Sequence, residues 1–476
     1  MENECSASLP ELTLDCLVCV FSYLDAKDLL VAAQVDKIWN EAAETTSLWR
    51  SMCLQRWTFC NIACLTPGMQ TWKKYYLHRS QVEHKMTTGR ASADYTCKTM
   101  RGHMGKIVGL AYLSENMHEF GTETLRSIVC TASTDGTIQA WDVQEGRQIW
   151  STSSQKEPLS QIITLPQYAL VLSTDVRGAV KMWNGHSGEE QASFSTSSSK
   201  CILLAHIKNN KPFLTIGTAG GFLHTLAIPN LTEVSGVTVF ATDSIDLLFC
   251  SPDKQWVVAG TLESSDQSPK IFYSDSLTNP IEDEPALSSS LPINGCVAAC
   301  WLPTEAARMA VVHADHASSP NRLTVFDLTA KKSKHKVDIL VQQVTSFELS
   351  ESAWRPNLLV EGHASNTILL VHGEELKVYS MSGTLLHSFH DHQEAITSIS
   401  VDAFRVVTSS MDLSLRVYTW QNENKIRSLK SCYHLLGGSH RFARGITAVA
   451  CDHVSIAASV DGANGEGVLR VYSFNL

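Results

Sequence analysis

One arrangement of residues recurs through the long C-terminal part of this sequence, and it constrains the fold more than any other feature. From about Tyr95 onward, short runs of alternating apolar residues are separated by Asp, Gly, Ser and Asn turns, with almost no helical stripe. In the clearest copy, Gly102-His103 precedes an apolar strand Ile107 to Leu113, and a second strand covers Ser127 to Ser133. A tight Asp135-Gly136 turn follows, and a third strand ends at Trp141-Asp142. The core of the unit, Ser-x-Asp and then a strand ending in an aromatic residue, returns at Ser173/Asp175 with Trp183, Ser410/Asp412 with Tyr418, and Ser459/Asp461 with Tyr472. Evenly spaced short strands alone fit a sandwich or a barrel, but self-similarity on this scale fits the blades of a propeller.

Weaker third strands at Phe222 to Ile228, Lys270 to Tyr273, Leu323 to Asp327 and Leu376 to Tyr379 fill the gaps. The anchors Trp141, Trp183, Leu226, Tyr273, Phe326, Tyr379, Tyr418 and Tyr472 then recur about every 40 to 55 residues, as four-stranded blades with variable loops do. This count makes eight blades, and the weak central units leave seven as the alternative. Each unit has a fourth strand, such as Arg147 to Thr152 or Leu385 to Phe389, except the last. Thr96 to Met100 is a spare strand ahead of the first unit, so its exchange into the last blade is expected to close the ring and remove the exposed edges of an open array. The repeated residue types read as a hydrogen-bond scaffold: His103, Ser133, Asp135 and Trp141 in the first blade, and His392, Ser410 and Asp412 with Tyr418 in the seventh. A catalytic role for them is not expected.

The first part of the chain has a different period. Leu12, Leu17, Val20, Phe21 and Leu24 fall at helical spacing, and a break at Asp25 opens a second helix carrying Leu29, Leu30, Ala33 and Val35. A third helix follows around Ile38, Trp39 and Ala42, and Ser47 reads as the N-cap of a fourth with Leu48, Trp49, Met52 and Trp57. This helical stretch is too small to hold a comfortable core, so part of its apolar surface is expected to meet a partner or a neighbouring domain. Met69 to about Met86 reads as a connecting helix. The expected organisation is residues 1–8 as a flexible start, 9–57 as the helical domain, 58–94 as a linker helix region and 95–476 as the propeller.

Composition narrows the function. The 48 acidic against 38 basic residues give a net charge of -10, which argues against nucleic acid as a partner. No apolar run approaches the roughly 20 residues of a membrane span, and Met1 to Ser8 lacks a signal core, so the expectation is an intracellular protein of the cytoplasm, with the nucleus also open. The 14 cysteines are scattered in apolar stretches as small hydrophobes rather than a disulfide framework. Cys16 and Cys19 lie too far before Cys60 and Cys64 to suggest zinc, and no metal or cofactor is expected. Phosphate loops, nucleophile elbows and zinc-protease helices are all lacking, so an enzyme has little support.

The run Leu9-Pro10-Glu11-Leu12, then Val20-Phe21-Ser22-Tyr23-Leu24-Asp25, Asp28-Leu29-Leu30, Ala33-Gln34-Val35, Trp39-Asn40 and Leu48-Trp49-Arg50 closely resembles the F-box. With the repeats behind it, the whole chain resembles the F-box/WD-repeat family; Cys16, Cys19 and Asp36 depart from the commoner residues. The resemblance implies a docking role: the F-box packs on the S-phase kinase-associated adaptor protein, which joins it to a cullin scaffold and a RING-type ubiquitin ligase, while the propeller presents a client protein for ubiquitination. Carried over, Leu9, Pro10, Leu14, Leu24, Leu29, Val35, Trp39, Leu48 and Trp49 sit on motif positions, some facing the adaptor and others holding the fold.

Propellers bind through rim loops, and Lys106, Arg177, Glu394 and Arg444 lie where that rim is expected, although solvated loop charge is the commoner explanation for each. The basic run Lys331 to Lys336 reads as a solvated turn. Two other readings stay open: a ligase-independent interaction scaffold, and a receptor that needs a phosphorylated client.

Overall fold

The computed structural model describes residues 12–57, 71–91, 93–113, 127–262, 264, 266–281, 284–314, 321–332, 337–349, 358–423 and 426–474. The chain forms two compact units, a helical one ending at Met86 and a β one beginning at Thr87.

The helical unit holds α1 (Leu14–Phe21), α2 (Ala26–Ala32), α3 (Lys37–Ala43), α4 (Thr46–Arg56) and α5 (Trp72–Thr88), whose last residues lead into the β unit. Short polar residues start the first three: Thr13 Oγ1 accepts from the Cys16 N–H, Asp25 from Asp28 and Asp36 from Trp39. Asp36, unusual for the motif, is therefore a working N-cap. The fourth helix starts earlier than expected, with Thr45 at the N-cap and Ser47 inside the first turn; no side chain caps it. Leu17, Phe21, Leu29, Ala32, Ala42, Ala43, Leu48 and Trp49 form the core. Trp49 Nε1 donates to the Ala43 carbonyl at 2.7 Å, so the buried indole is satisfied.

The β unit is a ring of eight four-stranded antiparallel sheets, spanning residues 107–151, 159–195, 201–238, 247–290, 298–348, 359–389, 396–436 and 443–473. The seven-blade alternative falls. The eighth sheet takes its outermost strand from before the first, Thr96–Arg101, paired antiparallel to Gly467–Ser473 with Met100 opposite Leu469. Second strands are buried on both sides, because their alternate residues serve two neighbouring seams. Val129 joins Met100, Ile107, Trp141 and Leu469 in the seam between the last blade and the first. Its neighbours Cys130 and Ala132 face the second blade with Val171 and Trp183. Buried cysteines fit these seams: burial alone pushes the thiol of Cys130, on a second strand, far above its ordinary value, and burial pushes Cys296, in the cluster between blades four and five, up to about 12. Between the last two blades, the buried Arg405 guanidinium donates to Asp402 at 3.0 Å and to the Ser455 carbonyl at 3.2 Å.

Ring closure predicts a large penalty at one site. Met100→Ala should cost about 2 to 5 kcal/mol of stability and Met100→Leu less than about 1.5, measured by denaturant unfolding.

Candidate functional site

In the helical unit the structure separates residues that hold the fold from residues that face outward. Leu29, Leu48 and Trp49 belong to the core, while Leu24 and Trp39 are half-buried against it, Trp39 edge-on to Phe21 at 5.4 Å. Leu14 and Val35 are exposed. Leu9 and Pro10 lie outside the described residues. Beside Leu14 and Val35, the helices leave Leu12, Val20, Tyr23, Val31 and Ile38 in solvent, with Tyr23 86%, Val31 60% and Val35 59% exposed. The sequence reading missed most of these because helical periodicity assigns Val20 and Leu12 to the same stripe as the buried Leu17 and Phe21. Exposed apolar side chains in this number on one short unit mark a candidate docking surface. Cys16 and Cys19 are exposed, and among the described residues no three potential ligands converge on a metal position.

In the β unit, all four predicted rim residues lie at the same end of the ring, at or before a first strand or between a second and third. They sit on four consecutive blades: Glu394 on the seventh, Arg444 on the eighth, Lys106 on the first and Arg177 on the second. Two of the cations are already matched. Lys106 Nζ is 3.0 Å from Asp461 and Arg177 Nε is 2.9 Å from Glu157. Arg444 donates to the Ala463 carbonyl at 3.3 Å, and Glu394 is exposed. Solvent-exposed ion pairs contribute little, but they leave less free charge for a phosphate. The same end of the ring carries Met104 and Phe442, both largely exposed and unforeseen in the sequence.

The scaffold network beneath this rim has a different hub from the expected one. Thr131, not Ser133, accepts from Trp141 Nε1 at 2.9 Å and meets His103 Nε2 at 2.7 Å. Ser133 instead accepts the Asp135 N–H inside the turn. His103 Nδ1 lies 3.3 Å from Asp135, whose carboxylate also takes the Met104 and Thr137 N–H groups. Blade seven copies the pattern: Thr408 on His392 Nε2 at 2.8 Å, and Asp412 on Nδ1 at 3.0 Å and on the Gln393 and Ser414 N–H groups. In blade two Ser173 holds the register position of Thr131, two residues beyond the one opposite the anchor, and accepts from Trp183 at 2.9 Å. The overlooked signal was the Thr two residues ahead of each of Ser133 and Ser410.

Burial depresses the pKa of His103 and His392, with Asp135 and Asp412 partly opposing it. His206 is lowered to about 4, first by burial and then by Lys254 and Lys208.

An F-box-like family model matches residues 9–55, and a WD domain, G-beta repeat model matches residues 383–419. Human F-box/WD repeat-containing protein 12 is 34% identical over 98% of this chain and 99% of its own length. The chain belongs to the F-box/WD-repeat family. Mouse F-box/WD repeat-containing protein 15 is 28% identical over 96% of the chain and 97% of its own length. A probable E3 ubiquitin ligase complex SCF subunit, sconB of Arthroderma otae, is 25% identical over 27% of the chain and 22% of its own length. Among solved structures, the Dos1 propeller covers 79% of the chain and 94% of its own at TM-score 0.56 and 10% identity, a likeness of fold. F-box/WD proteins are generally substrate receptors of SCF complexes and typically non-catalytic adaptors.

Two measurements check this geometry. Thr131→Val should cost about 2 to 4 kcal/mol, since it strips the acceptor from Trp141 and the partner from His103, while Ser133→Ala should cost about 1. The lowered histidines make stability full above the unfolded value of 6.5 and progressively lost as the pH falls below it, for His206 down toward about 4, because the unfolded chain takes up the protons first. Denaturation midpoints should therefore drop between pH 7 and 5, and His206→Phe should flatten that drop.

Proposed function

We propose that this chain is the substrate-receiving subunit of an SCF-type ubiquitin ligase. In this reading the helical unit docks the S-phase kinase-associated adaptor and, through it, a cullin scaffold. The rim of the propeller over blades seven, eight, one and two holds the client. The chain acts inside the cell, in the cytoplasm or the nucleus, and carries out no bond-making step itself.

The exposure of Val31, Val35, Ile38 and Tyr23 on a unit that matches the F-box is the observation that supports this most strongly. Apolar anchors that stay in water in the free protein gain about 1.5 to 3 kcal/mol each when fully buried by a partner. The likeness to F-box/WD relatives along nearly the full chain points the same way. The rim favours a client read by shape and apolar contact over one read by phosphate, since Lys106 and Arg177 already have carboxylate partners.

Co-expression with the adaptor and titration of the purified components tests the proposal. Val31→Asp with Val35→Asp should weaken adaptor binding at least about 100-fold without lowering the unfolding midpoint, as expected for two exposed anchors. Leu29→Ala, in the core, should instead destabilise the unit by about 2 to 5 kcal/mol. A folded wild type that does not bind the adaptor would overturn the receptor reading, and adaptor binding with no client ubiquitination in a reconstituted ligase would make the chain a scaffold.

A further inference from the structure

Outermost blade strands are exposed templates for another chain, and most of them here are short or charged. Arg147–Ser151, Glu190–Ser195, Ser288–Ser290 and Leu385–Phe389 are brief, while Thr232–Thr238 carries Glu233, Ile426–Leu436 carries Lys430, and Thr96–Arg101 carries Lys98 and Arg101. Both devices discourage edge-to-edge pairing. The fifth blade breaks the rule. Its outer strand Val337–Glu348 is 12 residues long, and its only charges, Asp338 and Glu348, lie near its ends, leaving residues 339–347 with no charge and no proline. The strand is rich in Ile, Leu and Val, with a bulge where Val325 and Phe326 of the inner strand meet Thr345 and Gln343. Residues 337–343 lie in unbroken register beyond that bulge.

We propose that this edge joins a second copy of the chain, with residues 337–343 of the two copies paired antiparallel about Leu340. The sequence of the edge is self-complementary in that register. On the exposed face Leu340, 49% in solvent, meets Leu340 of the other copy, and each Asp338 lies opposite the amide of Gln342. On the other face Ile339 meets Val341, extending the apolar cluster on which both already lean between blades four and five. A parallel pairing in register would stack Asp338 on Asp338, and like charges directly opposite oppose pairing. An isologous pairing also closes on itself, so it stops at a dimer and does not grow into a fibre. Two strands of this length fall at or below the roughly 1,200 Å² lower limit of specific interfaces, so the dimer is expected to be weak and reversible.

Sedimentation equilibrium of the purified full-length chain tests this, with circular dichroism confirming the fold of each variant. Wild type should shift from monomer to dimer across about 1 to 200 µM. Leu340→Lys should weaken the dimer at least tenfold, while Leu386→Lys, an exposed change on the sixth blade's outer strand, should leave it unaltered. Leu340→Cys should give a disulfide-linked dimer under mild oxidation, with the cross-link mapped to the introduced thiol by peptide mass spectrometry, because residues facing across a two-fold axis lie within disulfide reach. A wild type that stays monomeric at about 200 µM overturns the second-copy proposal and leaves the edge to a strand of another protein. A dimer indifferent to Leu340→Lys also overturns it, since the contact must then lie elsewhere.

Discussion

The β unit depends on one pairing, that of Thr96–Arg101 with Gly467–Ser473. A blade cannot bury both faces of its second and third strands alone; each seam needs the next blade, and only a closed ring supplies a neighbour to all eight. Closure therefore links the start of the β unit to its end, and Met100 is its apolar anchor, buried with Leu469, Val471 and Ala457 of the last blade and Ile107 and Trp141 of the first. The rim positions inherit their order from this closure, because Lys106 and Arg444 become neighbours only when the last blade meets the first.

The helical unit follows the opposite logic. Its core of Leu17, Phe21, Leu29, Leu48 and Trp49 is adequate for short capped helices, yet Val20, Tyr23, Val31 and Ile38 remain in water. Polar residues at these positions would cost the core little, since none of the four side chains belongs to it. Apolar side chains standing exposed on a compact scaffold are what the proposed docking surface requires: anchors held in place before the partner arrives, so that little ordering is left to be done on binding.

The histidine networks show how far a motif can be read without its geometry. In blades one and seven the spacing of His, Asp and the aromatic anchor announces a polar scaffold, and His103, Asp135 and Trp141 do meet. The hub was misassigned because Ser133 and Thr131 have the same hydroxyl chemistry and point to the same side of their strand. Which of them reaches Trp141 is settled by register, with Thr131 opposite Gln139 and Val129 opposite Trp141. Blade two makes the same point, since Ser173 matches Ser133 by motif but Thr131 by register.

Local chemistry determined much by itself. Period-two patterning, Asp and Gly turns and the recurring aromatic anchor specify strands and their approximate spacing, and helical spacing with Asp25 and Asp36 as caps specifies short helices. These features act within a few residues, so they survive in the linear sequence. Only the tertiary structure decided which apolar residues face water, which hydroxyl serves each network, and which rim residues share an arc, because each depends on what distant segments cover. Leu29 and Val31 are both apolar residues of one helix, yet one is fully buried and the other stands in solvent. Helix packing made that difference, and an exposed surface exists only once the core has been chosen.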